Sequence, residues 1–334
     1  MRWRLPRLNR FMEKVRKGPA KDDRRVYFDV NIYRQLEDGS WKPVRAALRK
    51  DRYRVIVGDP VIGEAIAIPD ADHRLGQIRC ICSLRDEWTD GVPGEEMATE
   101  SYRLLRRFKP DWITGNSRKA LIADYRNRRT RALTGLAENI EQQRLWNENI
   151  APLVRDSAED LRRWQKESLD AIQGQSFREA LMDRIPSGVR LPDSMPDSEL
   201  QWRLLAAERL HDVSNGRRVE QVNYLGDIRP GLTAAEWCEF WLNTTFSSAD
   251  APATAMHGLA RFYQLQRSLR GTGNLVDAMH LTAALGCSRF VTSDSGLAEV
   301  LSSVRSEMGP PAPKPVLVPY GAIQAQDLIN ALRR

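Results

Sequence analysis

The stretch Asp277-Ala-Met-His-Leu-Thr-Ala-Ala-Leu-Gly-Cys-Ser-Arg-Phe-Val-Thr-Ser-Asp294 reads as helix, turn, strand and terminal acid. Asn274, three residues before it, is a good cap for a helix reaching about Leu285. Residues 289–292 (RFVT) form a short apolar run with a β-branched and aromatic centre, the pattern of a buried strand. Asp294 then sits just past the strand's carboxyl end, and a helix is expected over about 296–304.

The same order of strand, acid and helix occurs near the start of the chain. Residues 25–28 (RVYF) read as a strand, Asp29 follows, and a short helix is expected over 31–37. A helix over 44–50 leads to a strand over 53–57, which Gly58 ends. Asp59 suits an N-cap and Pro60 the first helical position, so the next helix carries Glu64. At the other end, a strand over 316–318 and a helix over 327–333 close the chain. Between these ends, from about 95 to 270, helical periods dominate, with breaks at Pro110, Pro152, 186–196 and Pro230. Each end has two or three strands, too few for a stable sheet, so the ends are expected to join. The fold class is then α/β, one parallel-sheet domain interrupted by a large, mostly helical insertion. The segments are a basic arm (1–24), the first part of the domain (25–94), the insertion (95–270) and the second part (271–334). Two α/β domains flanking a helical bundle are the alternative.

The chain has 334 residues, 42% hydrophobic and 28% charged, which is ample for a buried core. No stretch approaches the roughly 18 apolar residues a membrane helix needs. Four cysteines are too few and too scattered for a disulfide scaffold, and no apolar leader opens the chain, so a reduced, cytoplasmic setting is expected. Cys80 and Cys82 read as core residues on a short strand. The tryptophans 112, 146, 164, 202, 237 and 241 read as packing aromatics. The histidines 73, 211, 257 and 280 lack zinc-ligand spacing; His280, three residues from Asp277, could face the site, the plainer reading being a packed residue or one beside the ligands. Gly271-Thr-Gly273 is no phosphate loop, since no Lys-Ser/Thr follows it.

Charge is concentrated. Residues 1–25 hold ten basic and three acidic side chains, and residues 101–131 ten and two. Those segments carry +7 and +8, so the rest carries −8 of the net +7. Arg-rich segments of this kind favour phosphate and nucleic acid. The expected nucleic-acid contacts are Arg103, Arg106, Arg107, Arg118, Lys119, Arg126, Arg128, Arg129 and Arg131.

Asp29, Asp294, Glu64 and Asp277 make a candidate acidic cluster. Sites in open parallel sheets form beyond the carboxyl ends of strands. Four carboxylates brought together repel one another unless a cation lies among them, and oxygen-only ligands select Mg²⁺ or Mn²⁺ over zinc. Such a cluster could activate water and neutralise a phosphodiester in transit. Each acid also has a plainer reading: Asp29 and Asp294 as helix caps, Glu64 as an exposed helix residue, Asp277 as a first-turn acid.

The blocks that hold these acids carry a resemblance. Val26-Tyr-Phe-Asp-Val-Asn-Ile32 resembles the opening strand of PIN-domain nucleases. Asp59-Pro-Val-Ile-Gly-Glu64 is similar to their second block, and 277–294 to their helix Asp-Ala-x-x-x-Ala-x-Ala followed by a strand ending in Thr-x-Asp. Val316-Leu-Val-Pro319 resembles their final strand. The resemblance covers about a third of the chain, roughly 25–68 and 274–332. It implies a three-layer α/β/α sandwich, a Mg²⁺ or Mn²⁺ site and endonucleolytic cleavage, most often of RNA. It further implies that Asp29, Glu64, Asp277 and Asp294 are the catalytic and metal-binding quartet, with Asn31 and Thr292 or Ser293 as polar groups beside them. Many bacterial members are toxins paired with antitoxins. Roughly 200 residues separate Glu64 from Asp277, far more than in small members. The insertion therefore reads as a module for substrate or for a partner such as an inhibitor. The expected function is a metal-dependent endoribonuclease, a toxin or antiphage effector that binds RNA and can oligomerise. A DNA nuclease of the same class is one alternative, and a non-catalytic nucleic-acid-binding scaffold the other.

Overall fold

The computed structural model describes residues 24–37, 39–89, 93–114, 119–192, 194–215, 228–269, 278–321 and 323–334. They divide into two compact units. One comprises the described residues of 1–90, 127–162 and 279–334, the other those of 91–126 and 163–278. The expected insertion, 95–270, thus gives residues 127–162 to the unit that holds the sheet. The basic arm and Asn274 lie outside the described residues.

The first unit is built on five parallel strands: β1 (Arg25–Phe28), β2 (Arg54–Val57), β3 (Glu87–Trp88), β4 (Arg289–Thr292) and β5 (Lys314–Leu317), in the order β3-β2-β1-β4-β5. The two ends of the chain do share one sheet. Val26 pairs with Arg289 and Phe28 with Val291, so β1 and β4 lie side by side with their carboxyl ends level. Val26, Tyr27 and Phe28 are all fully buried, as are Phe290 and Val291. A parallel strand covered on both faces has no polar side to show, which is why these strands read as apolar runs without alternation. Tyr27 stacks on Phe290 at 5.4 Å between ring centroids. The chain's far end is stitched on by Tyr53 Oη, which donates to the Leu332 carbonyl, and by Arg333, which forks onto Asp51.

Several local expectations shift. Helix Ala71–Leu84 and strand β3 emerge between 71 and 88, a stretch that gave no clear period. Cys80 and Cys82 therefore lie on a helix, not a strand, with Cys80 buried. Pro152 lies inside helix Ile140–Ile172 and does not end it. Asp59 is not the cap: Gly58 is, and Asp59 begins helix Asp59–Ile66. A Cβ on Gly58 would meet Ala283 at 2.8 Å and the Tyr27 ring at 3.0–3.2 Å, so the chain leaves β2 through a gap only glycine fits.

The second unit is helical: Pro93–Phe108, Phe177–Met182, Asp197–Ser214, Ala234–Asn243 and Pro252–Leu269. Trp112, Trp202, Trp237 and Trp241 are at most 5% exposed: Trp112 meets Trp237 edge to face, Trp202 meets Trp241, and Trp241 meets Phe240 and Phe246, so these four serve the core. Glu100 reaches across to accept from the backbone N–H groups of Ala253 and Thr254, closing the start of helix Pro252–Leu269. Helices Asp197–Ser214 and Pro252–Leu269 cross at Gly258, where an added Cβ would lie 2.6 Å from the Trp202 Cα. Backbone cannot retreat as a side-chain tip can, so Gly258→Ala is expected to destabilise this unit by about 1–3 kcal/mol or more. Urea unfolding followed by tryptophan fluorescence measures it.

Candidate functional site

The strand order runs outward from the β1–β4 pair in both directions, so the topological switch point lies there. Crevices at the carboxyl ends of strands flanking such a point are the usual binding places of open α/β sheets. Asp29 and Asp294 occupy that place.

Asp29 is 3% exposed, and its backbone N–H extends the β1–β4 ladder to the Val291 carbonyl. Its Oδ1 accepts from Val30 N–H at 2.8 Å, capping helix Val30–Arg34. Its Oδ2 accepts from Thr292 Oγ1 at 2.9 Å and from Asn31 Nδ2 at 3.2 Å. The same Thr292 hydroxyl accepts from Asp294 N–H at 2.9 Å, so one fully buried threonine ties the two aspartates together. Asp294 turns its Oδ1 to the N–H groups of Gly296 and Leu297, capping helix Ser295–Met308.

Glu64 projects from helix Asp59–Ile66, and its charge reaches Asp29. Its Oε1 is 2.8 Å from His280 Nε2; a carboxylate only accepts, so Nε2 carries the proton of this bond. Arg34 lies 3.8 Å from Glu64 and donates to Asn31 Oδ1. His280, on helix Ala278–Ala283, is 2% exposed and stands edge-on to Tyr27. Burial pushes the Asp29 carboxyl above its ordinary value, and Glu64 adds to the push; His280, Thr292 and Val30 oppose it without prevailing. Burial also works to raise Glu64, but the His280 hydrogen bond and the charges of His280 and Arg34 outweigh it, so this carboxyl sits below its ordinary value.

Asp29, Glu64, Asn31, Thr292 and Asp294 are therefore linked, and Ser293 joins through Gln35, whose Nε2 donates to Ser293 Oγ at 3.0 Å. Asp277 lies outside the described residues. Among the described residues no group of three or more acids, histidines or cysteines is placed to hold a metal ion. Both capping readings hold as well: Asp29 and Asp294 each close a helix. His280, which its spacing from Asp277 allowed to face the site, belongs to it, and so do Arg34 and Gln35, to which the sequence gave no site role. His280 falls one turn past Asp277 in sequence, the one signal that pointed to it.

The basic residues fare unevenly. Arg129 is 8% exposed and forks onto Asp59, and Arg126 is paired with the fully buried Glu95 at 2.5 Å. Both guanidiniums are engaged within the fold, Arg129 buried and Arg126 partly exposed. Arg106, Arg107, Arg128 and Arg131 are exposed, and Arg103 is half-buried. Arg118 and the Lys119 side chain lie outside the described residues. No described helix is long and apolar enough to cross a membrane. No family model, curated protein or solved structure matches the chain.

Proposed function

We propose that the chain is a divalent-metal-dependent phosphodiesterase that cuts RNA, with a PIN-like three-layer sandwich around the five-stranded sheet. The observation that carries this reading is the buried Asp29 carboxylate at the switch point, with Glu64 brought into the same network through Arg34 and Asn31. A buried acid raised by burial and by a like charge is a mark of a functional site. The donor chemistry suits a hard ion: Mg²⁺ keeps several waters and is commonly held by one or two carboxylates together with substrate phosphate. Asp29 and Glu64 would hold it, and Asp277 is the third candidate. When bound, Mg²⁺ or Mn²⁺ supplies charge neutralisation at the phosphoryl group and acidifies water.

The chain's own residues do the rest. Thr292 and Asn31 hold Asp29 in one rotamer. His280 holds Glu64 by its Nε2–H. Arg34, whose side chain is 46% exposed, is placed to take a substrate phosphate beside Glu64. Expected result: purified protein cleaves RNA with Mg²⁺ or Mn²⁺, stops with EDTA, and prefers RNA to DNA of the same sequence. Preference for the DNA would move the substrate and keep the chemistry.

One observation favours a second reading, a nucleic-acid-binding scaffold without catalysis: Asp29 and Asp294 already have work as caps. It predicts salt-dependent RNA binding that is unchanged by EDTA, and no cleavage.

A further inference from the structure

Four adjacent strands begin with a cation: Arg54 on β2, Arg25 on β1, Arg289 on β4 and Lys314 on β5. Arg25 is the register partner of Arg54, and Arg289 that of Lys314. Arg289 pairs with Val26, so the two pairs are level to within one residue. The amino edge of the sheet thus carries a row of positive charge, at the opposite end of the strands from Asp29 and Asp294. Neighbouring strands lie about 4.8 Å apart, so the row is roughly 14 Å long.

Part of this charge already has work. Arg54 pairs with Glu87. Arg25 donates to the Gly286 carbonyl at 2.6 Å, and Lys314 Nζ to the backbone oxygen of Arg334 at 2.6 Å. Helices that return between parallel strands end at this edge, and a cation near a helix carboxyl end complements its dipole. That plain account leaves Arg289 and Arg305 over. Arg305 comes from the last turn of helix Ser295–Met308 and donates to the Ala312 carbonyl, while Arg289 donates to the Ser288 carbonyl at 3.1 Å. Both are half-buried, and neither has a carboxylate partner among the described residues. Arg289 Nε is buried and has no partner among them. Burial and the charge of Arg289 both push the Arg305 guanidinium below its ordinary value, and no acid opposes them. Arg45 and Arg203 are also lowered by burial, but an acid opposes the shift in each, Asp86 and Glu199. Half-buried charges are ordinarily paired; two guanidiniums side by side with neutral carbonyls are balanced only by an anion.

We propose that this edge is a binding site for a chain of phosphate groups, seated on Arg289 and Arg305 and reaching along the row to Lys314 and Arg25. Arginine suits phosphate because its planar fork donates two N–H groups at once. The length of the row favours several phosphates over one: along a nucleic-acid strand they recur every 3.4 Å of axis, so roughly four fit. Three extended steps of β4, roughly 10 Å, separate this edge from the candidate site, so a phosphate held here is not one held there. The source is either the backbone of a nucleic acid or a free polyphosphate. The proposal is independent of the hydrolase reading.

The test is binding by the full chain in EDTA, so that nothing is cut. The probes are inorganic phosphate, inorganic tripolyphosphate and a labelled 12-nucleotide RNA. The parent chain is expected to bind inorganic phosphate at least about tenfold more weakly than the longer probes. Arg289→Gln with Arg305→Gln is expected to weaken binding at least about tenfold, the scale for losing charge-assisted hydrogen bonds. Lys314→Gln, which keeps both guanidiniums, is expected to weaken it about three- to tenfold and decides the matter if the double variant does not fold. Arg79→Gln with Arg162→Gln removes the same charge from exposed positions and is expected to change binding less than about twofold. A loss for RNA assigns the site to a nucleic-acid backbone; a loss for tripolyphosphate alone assigns it to a free polyphosphate. Unchanged affinity for both longer probes in the site variants overturns the proposal. So does an equal loss in the exposed-position control, or a parent chain that binds neither probe.

Discussion

Replacing Arg203 by methionine is expected to destabilise the helical unit by about 3–5 kcal/mol, the scale for stripping one partner from a buried charged network. Arg203 is 4% exposed on helix Asp197–Ser214. Its guanidinium donates to the carbonyls of Trp241 at 2.7 Å and Thr244 at 3.2 Å, and to that of Phe246. Those carbonyls lie where helix Ala234–Asn243 ends and its backbone acceptors have no partners of their own. The fourth bond goes to Glu199 at 2.8 Å, and the plane covers the Phe246 ring at 4.3 Å. Burial lowers the arginine's pKa, with Glu199 opposing, yet guanidinium stays charged at any working pH. Methionine fills much of the volume and supplies no donor, so three carbonyls and Glu199 lose their partner at once. Lysine brings a charge but not the planar fork, and an intermediate loss is expected. Urea unfolding read through tryptophan fluorescence reports on the affected packing, since Trp202 and Trp241 border the site. A loss below about 1 kcal/mol for methionine would show that water replaces the fork and that the network is not structural.

The sheet was legible where residues face apolar neighbours on both sides. Strands β1 and β4 announced themselves through Val26-Tyr-Phe28 and Phe290-Val291, and the shortage of strands at each end required the ends to meet. Helix Ala71–Leu84 was hidden because its apolar residues do not fall on one clean stripe: Arg74 and Gln77 are buried among Ile78, Cys80 and Ile81. Strand β3 was hidden because two residues carry no period. Pro152 misled because proline usually breaks helices; here it sits inside a helix all the same. Asp29 and Asp294 could be placed by rule, as residues just past strand ends. His280 was signalled only by its spacing from Asp277, and Gln35 and Arg34 not at all, because they reach the site from the turn and helix after β1, whose position depends on the whole sheet. The basic segment shows the converse limit. Counting charge could not tell Arg129, folded onto Asp59, from Arg131 in solvent.

The difference between a cap and a ligand is measurable at Asp29 and Asp294. Asparagine caps helices as well as aspartate does, so an Asp→Asn change removes charge while keeping the Oδ1 acceptor. Asp29→Asn is expected to lower Mg²⁺-dependent RNA cleavage at least about a thousandfold, roughly 4 kcal/mol of transition-state stabilisation. Glu64→Gln is expected to follow it, and Asp277→Asn tests the third acid. Asp294→Asn is expected to cost less than about tenfold, because the Asp294 oxygen that the structure shows engaged belongs to Gly296 and Leu297. Stability should move the other way. The Asp29 carboxyl is raised above 3.8, burial being the largest cause. Its ionised form is therefore less favoured in the native than in the unfolded chain, and stability is lost as pH rises from the unfolded value through the native one. The Asp29→Asn protein is free of that loss but gives up one acceptor for Thr292 and Asn31, so its melting temperature near pH 7 should equal or exceed that of the parent chain. Well below pH 3.8 the carboxyl is protonated in both states, and any advantage of Asp29→Asn should vanish. A dead enzyme that is also markedly less stable at pH 7 would mean that Asp29 is chiefly a cap and a tie to Thr292. A fully active Asp29→Asn protein would remove the carboxylate from the chemistry altogether.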